Sequence, residues 1–585
     1  MPTSACSNST ALSKSYNRIN HSVAKSLSEQ VEEMDGSQTS PLLSGLEDQC
    51  EEDRKVERKP TGGWRSAIYI IGVEVAERFA YYGISANLIM YLTIVLNEST
   101  VSAAKKVNTW SGVAALLPLL GAFIADSYLG RYRTILISSL IYLLGLSLLT
   151  MSVAMVIPLQ VRELLFFISL YMVGIGQGGH KPCVQAFGAD QFDEDSAEGR
   201  KAKNSFFNWW YFGICSSAGA GTLIVTNIQD NVGWAIGFGI PTIAMVFALF
   251  LFLFGSNTYT HIVPSGQSPL TGVPKVIVAA ARKWHLPSRN DNPDEGGCVP
   301  VAKEVISQTN QFKFLDKATI VDDLDASCCQ NSWRLCTQAQ VEETKQIMRL
   351  VPIWACCLMF AVVFAQPGTF FTKQCSTMNR KIWSSFEVSP ASLLVSSSLT
   401  IVAFVPIYDR ILVPTTRRLT GIPSGLMTLR RIGIGIFLSV TSMVVAALVE
   451  MRRLKIAREY GPFDHPNATV PMSVWWLLPQ YIIYGLADVF TMVGLQEFFY
   501  DQMPDGMRSI GAAAYLSIVG TGSFLSSVII SLIQGIKPEW LTNDLNNSHL
   551  DYYYWLLAGL SALWLCFYIC AAKRFVYKQT YYGLP

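Results

Sequence analysis

From Trp64 to about Tyr577 the chain is a succession of apolar runs, each roughly 20 residues long and separated by short polar breaks. A run of that length is what an α-helix needs to cross the hydrocarbon core of a bilayer. A chain that repeats it has little choice of architecture, because a backbone in lipid must satisfy its hydrogen bonds within the segment itself. Spans are expected at 66–94, 106–126, 133–157, 163–186, 205–226, 232–255, 345–370, 390–408, 431–450, 473–497, 510–535 and 552–573. The expected fold is therefore an all-α membrane protein with twelve transmembrane helices in two six-helix bundles.

Composition closes the other routes. Half of the 585 residues are apolar and 15% are charged, against about a quarter in soluble domains. The formal net charge is +2, and Lys and Arg flank the apolar runs instead of forming a basic face. The lipid bilayer is thus an expected partner and nucleic acid is not. The 13 cysteines lie mostly inside apolar runs, in the N-terminal tail or in the central loop, and no Cys-x-x-Cys occurs. The six histidines (His21, His180, His261, His285, His465, His549) show no ligand spacing. Neither a metal centre, a cofactor nor an enzyme is expected.

Residues 1–65, rich in Ser, Glu, Lys and Asn and without a cleavage site, read as a disordered cytoplasmic tail. An N-terminal bundle at 66–256, a cytoplasmic linker at 257–340, a C-terminal bundle at 341–575 and a cytoplasmic tail at 576–585 complete the expected order. The linker carries Lys275, Arg282, Lys283, Arg289, Asp291, Asp294 and Glu295, too polar for the membrane. Loop Lys and Arg favour both termini in the cytoplasm, with one exception, the loop expected to hold Arg452, Arg453, Lys455 and Arg458. Glycosylation sequons at Asn97, Asn467 and Asn546 fall in loops placed outside. Ser40-Pro41-Leu42-Leu43, with Glu32, Glu33 and Asp35 upstream, reads as a dileucine sorting signal. That favours the vacuolar membrane, the tonoplast, with the plasma membrane as the alternative.

Chemistry concentrates in a few spans. The first contains GVEVAERFAYYG, whose helical spacing puts Glu74, Glu77, Arg78 and Tyr81 on one stripe. Each such charge costs about 2.5 to 3.5 kcal/mol on insertion scales, so the stripe must face protein or water. An intrahelical ion pair needs only one glutamate; a second one points to a protonatable site beside a fixed positive charge. The fourth span ends GIGQGGHKPCVQAFGADQFD, with Lys181 deep in the apolar stretch ahead of a kinking Pro182. Its natural partners are the first-span glutamates. His180 reads as a polar packing residue, and Gly174, Gly176, Gly178 and Gly179 as small residues for close helix contact. Between the second and third spans, Asp126, Gly130, Arg131 and Arg133 form a tight charged turn, Asp-x-x-x-Gly-Arg-x-Arg.

That turn resembles the loop signature of the major facilitator superfamily, where it locks the cytoplasmic gate. Together with GVEVAERFAYYG, GHKP followed by FGADQFD, and SFFNWWYFGI at 205–214, the chain resembles the proton-coupled oligopeptide transporter family, in its plant nitrate and peptide branch, from about Trp64 to Tyr577. The resemblance implies a symporter for a small-molecule substrate and H+, with protons as coupling ion and no other cofactor. It implies proton coupling at Glu74, Glu77, Arg78 and Lys181, and a substrate cavity lined by Tyr81 and Tyr82 together with Arg78 and Lys181. Gln366 and Thr369, the polar centre of the seventh span, and Asp488 of the tenth, which stands where many relatives carry glutamate, are expected to bind substrate as well. Two departures stand out: Cys215 where the family pattern has an amide, and Phe364 in place of the histidine of nitrate-binding relatives. Nitrate, di- and tripeptides and small organic anions such as hormones remain open as cargo. A non-transporting nutrient sensor or scaffold of the same fold is the alternative, and the sequence sets no oligomeric state.

Overall fold

The computed structural model describes residues 62–193, 196–261, 272–285, 311–320, 333–383, 386–420, 427–460, 469–504 and 508–577. The N-terminal tail, the sorting signal and Asn467 lie outside the described residues. Six long helices make the first half: α1 (Gly63–Ser85), α2 (Thr100–Ile124), α3 (Arg131–Ala154), α4 (Leu159–Ala189), α5 (Ala197–Asn231) and α6 (Trp234–Phe254). The linker contains α7 (Gly272–Arg282). The second half is built from α8 (Gln338–Cys356), α9 (Leu358–Phe364), α10 (Leu394–Ile407), α11 (Thr428–Glu459), α12 (Leu478–Gln502), α13 (Arg508–Ile536) and α14 (Leu550–Arg574). Among the described residues nine helices are long and apolar enough to cross a membrane, or ten if α8 and the stretch Leu358–Ser376, bent by 46°, count as one span. The expected first and fifth spans are helical as α1 and α5 but fall short of that apolarity, α1 because of Glu74, Glu77 and Arg78.

Several expected boundaries move for local reasons. The first span is broken after Ser85: Asn87 leaves the helix, and its Nδ2 donates to Gln229 Oε1 (3.2 Å) and Asp230 Oδ1 (2.9 Å) of α5. The chain then continues through a π-helical turn at Tyr91–Val95. The seventh span starts earlier than expected. Thr337 and Gln340 form a reciprocal capping box that fixes its first turn. It breaks at Cys357 and runs on through a π turn at Pro367–Phe371 to Ser376. The linker is also more than a solvated connector: Val276, Ala279 and Ala280 on one face of α7 pack with Leu315, Ala318, Cys336 and Val341. Over this cluster Lys345 is paired with Asp316 (2.6 Å) and Glu342 (2.9 Å).

Small residues set how closely the helices approach. A Cβ on Gly121 of α2 would lie 2.2 Å from the Gly178 carbonyl oxygen of α4, and one on Gly176 would lie 2.6 Å from the Tyr142 Cβ of α3. Gly178 and Gly179 are equally tight, so three of the four fourth-span glycines hold helices together, as their small size implied. Gly174 has only ordinary contacts. The two halves meet mainly along α2 and α13 and along α5 and α10. Gly112 and Gly520 face each other in the first of these seams.

At the end of the bundles opposite the linker, hereafter the far end, hydrogen bonds join the halves. Asn108 Nδ2 donates to Ser526 Oγ (3.0 Å), Asn227 Nδ2 to Ser392 Oγ (2.8 Å), the Ser389 amide to Asn227 Oδ1 (3.2 Å) and Lys373 Nζ to Thr93 Oγ1 (3.1 Å).

The basic loop expected after the ninth span is instead the last turns of α11. Arg453 is fully buried there and donates to Glu450 (2.6 and 2.8 Å), Asn546 Oδ1 (2.7 Å), Thr377 Oγ1 (3.1 Å) and the Leu545 carbonyl (2.7 Å). Glu450 also accepts from Gln374 Nε2 (2.6 Å). Arg453 is thereby consumed inside the protein, whereas Arg452, Lys455 and Arg458 of the same turns remain exposed. The sequon at Asn546 is likewise corrected: a buried amide holding Arg453 is poorly placed for a glycan, whereas Asn97 is exposed in its turn. Replacing one partner of a buried ion pair strands the other charge. Arg453→Met is therefore expected to cost about 3–5 kcal/mol of stability. Thermal unfolding in detergent should show the loss, and adding Glu450→Gln should recover much of it.

Candidate functional site

The site is built on the middle of α1, where sequence spacing and packing agree. Glu74, Glu77 and Arg78 are almost wholly buried. Arg78 Nε donates to Glu74 Oε1 at 2.7 Å and lies 3.3 Å from Glu77 Oε2. One guanidinium thus faces two carboxylates and holds Glu74 the more firmly. Glu77 lacks a hydrogen-bond donor on either oxygen among the described residues. Tyr142 of α3 presents its hydroxyl to Glu77 as a candidate donor, short of strict hydrogen-bond geometry.

Lys181 of α4 is partly exposed and within the electrostatic reach of Glu77 and Glu74, but no carboxylate lies within ion-pair distance of it among the described residues. The expected direct pairing is therefore not made in this state. His180, expected as a polar packing residue, is completely buried, and one ligand atom from each of Glu74, Glu77 and His180 lies within 4.8 Å of the others.

One turn further on, Tyr81 stacks on Trp110 of α2 (centroids 5.7 Å) and meets Tyr82 edge-on (5.4 Å). Trp110 is fixed in turn by donating Nε1 to the Leu170 carbonyl (2.9 Å). Across the midline, Asp488 of α12 acts on Tyr82 and, in α5, on Tyr211 and Cys215. Tyr515 of α13 lies in the field of Arg78, Tyr82, Asp488 and Glu74. Residues of both halves thus converge on one polar centre. Asp488 Oδ1 is buried and has no hydrogen-bond partner among the described residues.

Gln366 and Thr369 are a correction. Both are buried, and Gln366 donates to the Val362 carbonyl (2.8 Å) while accepting from Tyr553 (3.2 Å). Thr369 donates to the Ala365 carbonyl (2.9 Å). Their polar atoms are spent inside the second half, so they stabilise the bent seventh span and do not line the centre. The seventh span does contain a lysine, Lys373, but at the far end, against Thr93.

The charged turn closes the linker end of the first half. Asp126 sits in a π turn, Ala125–Leu129, and Gly130 has φ +76° and ψ 154°, a conformation that an L side chain resists. Arg131 is 3.5 Å from Asp126 and makes a closer ion pair with Asp190, at the end of α4. Burial pushes the Asp190 carboxyl above its ordinary range and the Arg131 charge opposes that. Arg133 is exposed. Asp190 was not singled out by spacing, although it is the Asp of the GADQ stretch. Tyr142, Tyr211 and Tyr515 were missed because a single tyrosine in an apolar run carries no positional signal.

A family profile described as the POT family matches residues 132–545. The protein NRT1/PTR FAMILY 5.10 of Arabidopsis thaliana is 51% identical over 562 residues, covering 92% of this chain and 97% of that protein. Its relative NRT1/PTR FAMILY 5.4, also from Arabidopsis thaliana, is 48% identical over 540 residues, covering 90% and 97%. Among solved structures, an auto-inhibited POT family peptide transporter superposes with a TM-score of 0.67 at 20% identity, covering 89% of this chain and 99% of its own. The POT family transporter PepTSo gives 0.67 at 22% identity, covering 88% and 99%.

Because Arg131 bonds Asp190 more closely than Asp126, Asp190→Asn should disturb the linker-end base more than Asp126→Asn. A few-fold change in the ratio of end states is expected, about 1 kcal/mol for partly exposed pairs. Spin-label distances between α4 and α13 measure it, and identical distributions in both variants would remove the turn from any gating role.

Proposed function

The chain belongs to the POT family, so it is a transporter of the peptide and nitrate type, and on that premise we propose a proton-coupled symporter of small polar solutes that works by alternating access. The observation that carries this reading is the buried Glu74–Arg78–Glu77 cluster, linked through Tyr82 and Tyr515 to Asp488 of the opposite half. Arg78 and Lys181 supply two positive charges; Glu74, Glu77 and Asp488 supply three negative ones if all are ionised. The balance is minus one, and one bound proton brings the centre to neutrality. A charged cargo and a proton then enter a low-dielectric site together more easily than either alone. Because residues of both halves touch this centre, rocking one half against the other exposes it to each side in turn, as in transporters built from repeated bundles.

The cargo is a small polar solute: nitrate, a di- or tripeptide, or a small organic anion such as a hormone. POT family transporters have been solved in complex with 5-aminolevulinic acid and with alafosfalin. Among the described residues the second half offers no basic partner for Asp488, since Lys373 is engaged at the far end. That favours an anionic or weak-acid cargo bound by Arg78 and Lys181 over a peptide whose amine needs Asp488. Both termini on the cytoplasmic side and a vacuolar or plasma membrane address belong to the same reading.

Glu77→Gln should abolish accumulation against a gradient while expression is kept, tested by uptake of a labelled panel at imposed pH gradients. A variant that still concentrates cargo in a pH-dependent way places the proton elsewhere. Asp488→Asn divides the cargo classes. For an amine-bearing cargo the half-saturation concentration should rise by an order of magnitude or more, since an ion pair in a partly desolvated cavity is worth roughly a few kcal/mol. For an anion it should hold or fall.

A further inference from the structure

The fourth-span histidine has a position that packing alone does not explain. His180 is completely buried, and neither ring nitrogen has a hydrogen-bond partner among the described residues. An imidazole carries at least one N–H in either protonation state, and leaving a buried donor unmade costs on the order of 1–3 kcal/mol. Glu77 presents the matching deficit, two buried carboxylate oxygens with no donor. Both residues belong to the group whose donor atoms lie within 4.8 Å of one another.

The backbone around His180 is held in register by its neighbours. Gly179 is pressed against Ser138 of α3 and Gly176 against Tyr142, so α4 cannot slide or rotate without a clash. The charged groups close to the ring are Glu74, Glu77 and Arg78 of α1; Tyr81 of the same helix, Tyr142 of α3 and Lys181 of α4 act on Glu77 from around it. At this level α2 contributes Leu117 and Gly121, neither of which titrates. Tyr211 and Cys215 of α5 are directed to Asp488 instead. Three donors this close would also bracket a divalent cation, but the Arg78 guanidinium already sets its charge against both carboxylates.

Arg78 holds the two glutamates unequally. Its Nε is committed to Glu74 at 2.7 Å, while Glu77 is at 3.3 Å without a hydrogen bond. We propose that His180 is the N–H donor that receives the Glu77 carboxylate when it is ionised, a positioning residue that sets how tightly the coupling site holds its proton. The inference rests on the symport reading for its purpose, though not for its geometry.

The test uses purified full-length protein without cargo, so that it stands or falls apart from transport. Difference infrared spectroscopy should show a protonated-carboxyl band that titrates with pH and is absent in Glu77→Gln. In His180→Leu the ionised carboxylate loses its donor, so its midpoint should move to higher pH by about one unit, a tenfold rise in proton affinity. His180→Gln restores an N–H and should bring the midpoint back toward that of the unaltered protein, a rescue that a packing role would not give. In the unaltered protein, the imidazole nitrogen resonances in solid-state NMR should follow the same midpoint as the Glu77 band, a readout that survives if the leucine variant fails to fold. Unrelated midpoints, an unshifted band in a folded His180→Leu, or a titrating band that persists in Glu77→Gln would each overturn the proposal. Loss of proton-driven uptake in the unaltered protein, with these spectra as expected, would instead sink the symport reading and leave this one standing.

Discussion

A single guanidinium facing two carboxylates in the middle of α1 constrains more of this structure than any other contact. Arg78, Glu74 and Glu77 are nearly inaccessible, and ionised groups leave water at a cost that only mutual pairing offsets. The helix that carries them cannot face lipid. It is instead packed against α5 and α6 and touches α4. The polar demands of α1 continue past its end: where Ser85 gives way to Asn87, the side-chain amide is taken up by Gln229 and Asp230, so α1 and α5 are joined at the far end as well as along their lengths. The central charges decide which helices surround α1, and those helices decide where Tyr81 and Tyr82 stand.

The second half has its own buried ion pair with a different use. Arg453 and Glu450 sit at the far end of α11 and gather Thr377, Gln374 and Asn546 around them. All five of Arg453's hydrogen bonds lead to Glu450 or to structural partners, none to the centre, so the pair is satisfied and static. Around Arg78 the hydrogen-bonding demands are left partly unmet: among the described residues Glu77, His180 and Asp488 all keep buried atoms without partners. The carboxylates themselves differ, since both oxygens of Glu450 accept hydrogen bonds and neither of Glu77 does, although both clusters are equally enclosed. An unsatisfied buried carboxylate is a site with room for a proton or a ligand charge.

The sequence told much of this, for identifiable reasons. The 20-residue apolar period and the charged stripe of α1 were legible because membrane insertion penalises charge steeply, so a Glu-x-x-Glu-Arg inside a span has few explanations. The turn at Gly130 was legible because Asp and two arginines flank a glycine at the edge of a span, and φ +76° gives the glycine its reason. Arg453 was misplaced because a helix can run on beyond its apolar segment, and hydropathy marks where lipid ends, not where the helix does. Gln366 and Thr369 were assigned to the centre because polarity in a span shows that a group is buried in protein without showing which way it points. His180 was undervalued for the opposite reason: its significance lies in what faces it from another helix, and helical spacing records only neighbours on its own.

The two ends of the molecule are held by different chemistry. At the linker end, Arg131 with Asp126 and Asp190 ties α2, α3 and α4 together inside one half, so the first half moves there as a unit. At the far end the joins cross between the halves, and all but one of those described are neutral, through Asn108, Asn227, Ser389, Ser392 and Ser526. A neutral hydrogen bond contributes a net of about 0.5–1.5 kcal/mol, because water replaces it on opening. Several such bonds favour closure by only a few kcal/mol, an amount that binding of a transported solute can match. Ionic ties across the far end, excluded from water, would have made one state too stable to leave. Lys373 is the exception, yet its acceptor is the hydroxyl of Thr93 and not a carboxylate. The strong electrostatics are thus confined within each half and at the centre, and the seam between halves is left weak enough to part.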